Sequence, residues 1–176
     1  MRKTAFLELA EKRRSVRAYK PDEVPEDLLQ TVLEAGRLAP SACNKQPWRF
    51  IVVRSETGRR ALGAAYAREW FWKAPVVIAV CILPKEAWVR SYDGQNYAMV
   101  DGALAMDHLT LAAAELGLGT CWIGAFDPAA AREILNLPDG VEIVGLTPLG
   151  YPDVEPNPRV RSRRPLGETV MKERWG

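Results

Sequence analysis

The chain holds one histidine, His108, and three cysteines, Cys43, Cys81 and Cys121, and these scarcities exclude a good deal. A single histidine cannot build a His-rich metal site. The cysteines are odd in number, widely spaced and form no CxxC, so they read as reduced, mostly buried thiols of a cytoplasmic protein. No run of about 18 uncharged apolar residues occurs, and nothing is expected to span a membrane. The nearest candidate, residues 97–118, is interrupted by Asp101, Asp107, His108 and Glu115. The opening residues, MRKTAFLELAEKRR, carry charge on both sides of a short apolar patch, which is not the pattern of a signal peptide. Neither sign of charge dominates. With 24 Lys+Arg against 22 Asp+Glu, the net charge of +2 gives no chain-wide basic field to hold nucleic acid.

What is present is an ordinary globular composition, 48% hydrophobic and 26% charged over 176 residues. That length suits one domain with a real core, and excludes collagen, a disordered tail or a disulfide-stapled mini-protein. Apolar spacing predicts a short amphipathic helix over residues 4–12 and a second helix opened by Pro25, with Leu28, Leu29, Val32 and Leu33 on its apolar face. Residues 40–48, with two prolines and small polar side chains, must be a loop. Residues 49–54 (RFIVVR) read as a strand, residues 56–72 as a helix, and residues 75–83 (PVVIAVCIL) as a strand buried on both faces. Residues 85–96 are polar and aromatic and are expected to cover something. Residues 97–116 read as a buried helix, roughly 30 Å long, capped by Gly117. Residues 120–126 suggest a strand broken at Gly124, residues 129–135 a helix capped by Asp127-Pro128, and residues 142–149 the last core strand. The remaining tail, from Asp153, is too polar for a core of its own and must lie along a surface. Helices first, then strands alternating with helices, give an α+β or α/β character.

The usual catalytic signatures are missing. No GxGxxG follows a strand and opens a helix, and there is no GxxxxGK[ST], GxSxG or HExxH. His108 sits mid-helix, where a satisfied structural histidine is the simpler reading. An enzyme built on this chain would therefore borrow its reactive group from a cofactor. Two arginine clusters are candidates for an anion: Arg13, Arg14 and Arg17 around Ser15, and Arg159, Arg161, Arg163 and Arg164 near the end. Guanidinium groups and a hydroxyl donate several fixed bonds to a phosphate, although two solvated basic faces would look the same in sequence. Ser41, Asn44 and Gln46 in the proline-flanked loop suit the edge of a flat heteroaromatic ring, or are simply turn residues. Gly124 in the Trp122-Ile123-Gly124 segment marks either a bulge or a place where a ligand meets the backbone.

Taken in order, RRSVR at residues 13–17, APSACNKQPW at 39–48, GLGTCWIG at 117–124, GYP at 150–152 and a basic tail closely resemble the nitroreductase family of flavoenzymes, from Glu8 to Trp175. The resemblance implies an α+β fold with a mainly antiparallel central sheet flanked by helices, one FMN-binding domain over residues 1–176, and an intertwined homodimer whose tail, residues 153–176, packs on the partner subunit. It implies two FMN molecules at the subunit interface. Arg13, Arg14, Ser15 and Arg17 match the N-terminal flavin motif, with Arg13 and Ser15 toward phosphate and ribityl and Arg17 toward N1 and O2. Pro40, Ser41, Ala42, Asn44 and Gln46 match the loop brought by the second subunit. Trp122, Ile123 and Gly124 match the segment whose backbone N–H points at N5. Arg161 and Arg163 match phosphate ligands of the tail, with Arg164 a possible substitute. No side-chain acid or base is obligatory. The activity implied is ping-pong transfer from NAD(P)H to a nitroaromatic or quinone-like acceptor. Trp70, Trp72, Trp88 and Tyr92 are candidate walls of a substrate pocket, or packing residues. The alternatives are a dehalogenase or flavin-modifying enzyme on the same scaffold, a non-catalytic flavin binder, and a nucleic-acid module using the tail. A dehalogenase lid would draw on Tyr66, Glu69 and Lys73.

Overall fold

The computed structural model describes residues 4–153 and 162–175. Four antiparallel strands, β1 (Trp48–Val53), β2 (Val76–Ile82), β3 (Gly119–Thr120) and β4 (Glu142–Gly150), form one sheet in the order β1-β2-β4-β3. Every residue of β2 is buried. Its alternation sends Val76, Ile78 and Val80 into a core cluster with Val24, Leu29, Val32, Met106 and Leu109. Val77, Ala79 and Cys81 point the other way, toward Leu62, Phe71, Ile123 and Leu146. The continuous apolar run thus serves two cores, one on each face of the sheet. The expected α+β architecture with a mainly antiparallel sheet is what the chain adopts.

The first face is covered by α2 (Glu26–Arg37) and α5 (Ala98–Glu115), the second by α3 (Glu56–Leu62), α4 (Glu69–Lys73) and α6 (Pro128–Ile134). Helix α1 (Ala5–Lys12) is capped by Thr4, and α6 by Asp127, whose side chain accepts from the Ala129 and Ala130 N–H groups. The α5 helix ends at Gly117, which takes a left-handed φ of 79° and lets Leu118 N–H return to the Ala113 carbonyl at 2.8 Å.

Two expectations need correction. Residues 56–72 are not one helix but two, α3 and α4, separated by turns over residues 63–68. The Ala65 carbonyl accepts the Asp127 N–H at 2.8 Å, so a tertiary bond takes an acceptor that a continuous helix would need. Residues 120–126 are not one strand. The ladder stops at Thr120, and only Ile123 returns to it, exchanging two hydrogen bonds with Leu146. A further departure concerns α5. It is buried along Asp101, Ala105, Met106 and Leu109, yet Met99, Val100 and Leu104 stay exposed on the isolated chain.

A bulge in β4 locks α5 onto the sheet. Opposite β2 the register steps from Val80↔Gly145 to Cys81↔Ile143, which leaves Val144 as the extra residue. Val144 and Ile82 then press on α5 at Gly102, where an added Cβ would lie 2.6 Å from a methyl of each. Both neighbours are β-branched and stiff. Gly102→Ala is expected to lose about 2 kcal/mol, since clashes with two stiff side chains put the overpacking cost near the top of its range of roughly 1–3 kcal/mol, and the gain in helix propensity is only about 1 kcal/mol. Thermal unfolding should show a lower midpoint; an unchanged or raised midpoint would contradict this packing.

The three cysteines divide by environment. Cys43 is exposed, whereas Cys81 and Cys121 are buried, and all three are free thiols. Burial pushes the Cys81 thiol up to about 11. Thiolate is the reacting form, so at about pH 8 the native protein should titrate with no more than one thiol, and the denatured chain with three. Fast reaction of two or more thiols before unfolding would show that β2 or the 121–123 segment opens readily.

Candidate functional site

The site begins where the N-terminal segment joins the free edge of β3. After α1 the chain turns extended at Arg13, and Ser15 forms a parallel bridge with Thr120. Val16 N–H donates to the Thr120 carbonyl at 2.8 Å. Gly119 permits this approach, because a Cβ there would stand 2.8–3.0 Å from three atoms of the buried Val16 side chain. Further along, Lys20 N–H meets the Tyr151 carbonyl and Asp153 N–H meets the Ala18 carbonyl, which ties the segment to the exit of β4. The Tyr19 hydroxyl donates to the Val16 carbonyl at 2.7 Å. Burial pushes that phenol far up, the Cys121 sulfur adds to the effect, and Arg17 opposes it.

Alternation along this extended stretch sorts the motif. Val16 and Arg14 face a groove of about 340 Å³ lined also by Lys12, Ala114, Leu118 and Pro152. Arg13, Ser15 and Arg17 are the alternate residues, and all three act on the Cys121 thiol. Burial raises the Cys121 pKa, while Arg17, a hydrogen bond from Ser15, and Arg13 draw it back. The structure therefore sets Arg13, Ser15 and Arg17 on the Cys121 side of the stretch, where the chain runs on into Trp122-Ile123-Gly124, and Arg14 on the groove side.

Among the described residues, the charge at this edge has no acidic partner. Arg37, Arg49, Arg54, Arg60, Arg90 and Arg132 each hold a carboxylate. Among the described residues no carboxylate pairs with Arg13, Arg14 or Arg17. Beside them Trp122 is 40% exposed, its indole nitrogen packed over Gly145. Gly124 is exposed to open space, and its N–H meets no acceptor among the described residues. Guanidinium groups, a hydroxyl and a free backbone N–H in a row are a donor set suited to a phosphorylated, ring-bearing cofactor such as FMN.

The other expected residues lie apart from this edge within one chain. Pro40, Ser41, Ala42, Asn44 and Gln46 belong to a loop between α2 and β1, wound into a short 3₁₀ turn at Ala42–Asn44. Its bonds are internal: Gln46 N–H to Ser41 Oγ at 2.9 Å, and the Gln46 amide to the Asn44 carbonyl and Oδ1 at 3.1 Å. The exception is Ala42 N–H, which donates to Asp101 of α5 at 3.0 Å. Asp101 escaped the reading of the sequence; the signal available was an acid inside an otherwise apolar helix. Arg163 and Arg164 are exposed, whereas Arg159 and Arg161 lie outside the described residues. His108 is the satisfied structural histidine expected, with Nδ1 2.9 Å from the Leu104 carbonyl.

Most of the aromatic candidates are engaged in packing. Trp70 meets Tyr66 edge-on, Trp72 lies under Arg60, and Trp88 packs on Tyr97. Tyr92 alone of the four stands 95% exposed. Glu69 and Lys73 pair with each other at 2.7 Å along α4.

Comparison with known proteins agrees with this geometry. The family model described as Nitroreductase family matches residues 10–70 and 63–151. An NADH dehydrogenase of Thermus thermophilus is 37% identical over 199 residues, with 96% of this chain and 94% of that protein covered. A crystal structure of a nitroreductase family protein from Clostridium difficile 630 superposes with a TM-score of 0.89 at 35% identity, covering 98% of this chain and all of that one. An FMN-dependent nitroreductase from Clostridium difficile R20291 is 28% identical with a TM-score of 0.75, covering 85% of this chain and 88% of that one. With its sheet, its N-terminal edge and these chain-wide matches in agreement, the chain belongs to the nitroreductase family.

Proposed function

We propose that this protein is an FMN-dependent oxidoreductase of the cytoplasm that takes reducing equivalents from NAD(P)H and delivers them, in a ping-pong cycle, to nitroaromatic or quinone-like acceptors. One observation carries the reading: Arg13, Ser15 and Arg17 alternate along the stretch that pairs with Thr120, next to Cys121, and no carboxylate among the described residues pairs with either arginine. When bound, FMN supplies the hydride chemistry that this chain's side chains lack.

Each residue then has a task. Arg13 and Ser15 bind phosphate and ribityl oxygens with charge-assisted and neutral hydrogen bonds. Arg17 favours negative charge at the pyrimidine edge of the ring, where a fixed guanidinium in a low-dielectric cleft acts strongly. The backbone of Trp122, Ile123 and Gly124 offers a donor that orients the reacting face. Arg14 serves the same motif from the groove side, and Ser41, Asn44 and Gln46 of a second copy, with Pro40 and Ala42 shaping their loop, meet the ring edge. Arg161 and Arg163 of the tail complete the phosphate site.

Exposed apolar side chains support a homodimer. Phe6, Met99, Val100 and Leu104 line the outside of α1 and α5. In the tail, α7 (Leu166–Thr169) and its sequel leave Leu166, Val170, Met171 and Trp175 uncovered, Trp175 at 90% exposure. Such residues call for a second surface, and a copy of the same chain provides it.

The purified protein is expected to be yellow, to sediment as a dimer and to bleach on anaerobic addition of NADH or NADPH. A colourless protein that ignores added FMN would overturn the assignment. Arg13→Ala is expected to weaken FMN binding by roughly 10- to 100-fold, as charged hydrogen bonds contribute about 1.5–3 kcal/mol each. Unchanged affinity in a fluorescence titration would remove Arg13 from the phosphate. A monomer that binds FMN tightly would contradict the two-copy site.

A further inference from the structure

Asp101 is the most deeply buried carboxylate among the described residues, 1% exposed, in the first turn of α5. Its Oδ1 accepts the Ala42 N–H at 3.0 Å across 59 residues of sequence. Its Oδ2 is buried without any partner among the described residues. A buried carboxylate oxygen left unpaired is costly, so its presence asks for a reason beyond packing. The N-terminal end of α5 offsets part of that cost, because the helix dipole favours negative charge there.

The reason lies in the loop that Asp101 holds. Within residues 41–46, Cys43, Asn44 and Gln46 all have φ near 50°, in the left-handed region. Asparagine tolerates that region, but cysteine and glutamine do so rarely. The bonds that stabilise this shape stay inside the loop: Asn44 N–H to the Ser41 carbonyl, Lys45 N–H to the Ala42 carbonyl, and the Gln46 bonds to Ser41 and Asn44. They make the loop a rigid unit without fixing it to the body of the protein. Packing fixes its two flanks, where Ala39 and Trp48 press on Ala105, one turn further along α5. At the far flank the Pro47 carbonyl accepts the Leu83 N–H at 2.8 Å, and within residues 41–46 themselves Ala42 to Asp101 is the one hydrogen bond among the described residues that reaches the rest of the chain.

We propose that Asp101 is a positioning residue for the flavin site. It acts through the loop: its carboxylate grips Ala42 and so sets the height and tilt at which Ser41, Asn44 and Gln46 are presented. A carboxylate with no competing donor gives its full accepting strength to that one N–H, which a neutral acceptor does not match. The proposal rests on the reading of residues 40–46 as a flavin-contacting loop, but its anchoring step can be measured without flavin.

The test compares wild type, Asp101→Asn and Asp101→Ala by amide hydrogen exchange of the FMN-free protein and by titration with FMN. Asp101→Ala is expected to speed exchange across residues 42–46 by roughly tenfold or more while β2 and the distal half of α5 keep their protection. It is expected to weaken FMN binding by about tenfold and to alter the visible circular dichroism of the bound flavin. Asp101→Asn, which keeps an acceptor oxygen and loses the charge, should fall between wild type and Asp101→Ala on both measures. Loop exchange that stays at the wild-type rate would overturn the proposal. So would faster exchange spread evenly over β2 and α5, or failure of Asp101→Asn to fold, since either makes Asp101 a general structural support. Loop exchange that rises while FMN affinity and circular dichroism stay unchanged would leave Asp101 as a loop anchor and refute its role at the flavin. If wild type itself binds no FMN, the flavin assignment fails and the positioning role with it, while the exchange arm still reports whether Asp101 holds the loop.

Discussion

The pairing of residues 15–16 with Thr120 is the constraint from which the site follows. Gly119 has no side chain, so Val16 can sit against its backbone, and Val16 N–H can reach the Thr120 carbonyl. That contact turns an arginine-rich stretch into an extended edge with a defined alternation. Val16 goes into the core, and its neighbours Ser15 and Arg17 must then face the other way. Without a fixed register the same three arginines would be a solvated basic tail. With it, two guanidinium groups and a hydroxyl are delivered beside Cys121 at the place where β3 ends.

The ending of β3 is itself useful. Had residues 120–126 continued as a regular strand, the Gly124 N–H would have been committed to a ladder or to an edge. Instead the chain leaves the sheet after Thr120, returns for one pair at Ile123 and Leu146, and leaves again. The brief return holds Ile123 in the core, while Trp122 and Gly124 on either side face outward. The strand expected over residues 120–126 does not form as one element, and the ladder's interruption leaves the Gly124 N–H without an acceptor among the described residues. Sequence periodicity reports which side chains are buried; it carries no information on whether a backbone N–H is already taken.

The same distinction explains what could be read and what could not. The β2 run, the caps at Asp127 and Gly117, and the proline-flanked loop were legible because each rests on local chemistry. The division of residues 56–72 into α3 and α4 was not, because the competing bond comes from Asp127, far along the chain. Asp101 was passed over for a similar reason. In sequence it is one acid interrupting an apolar helix, and only the folded chain sets it beneath Ala42. The arginine motif was legible as a motif, but its sorting into Arg14 on one side and Arg13 and Arg17 on the other needed the β3 edge.

Two grooves among the described residues, of about 370 and 340 Å³, are lined without Arg13, Ser15 or Arg17. The larger lies around Arg54, Arg59 and Trp72, and its cations are already engaged: Arg54 with Glu26, Arg60 with Glu56, Lys73 with Glu69, and Arg59 with the carbonyls of Trp72 and Ala74. A groove whose charges are satisfied has little to offer an anion. At the β3 edge, by contrast, Arg13, Arg14 and Arg17 have no carboxylate partner among the described residues. Their charge gains most when water is displaced from that edge. On the proposed reading the displacing surface is the 40–46 loop of a second copy, which on its own chain is stiffened by its internal bonds and anchored to α5 by Asp101. Each copy then carries an arginine edge without acidic partners among the described residues and a preformed loop to set against the other copy's edge. That complementarity, rather than a preformed cavity, is the physical case for placing the chemistry between two chains.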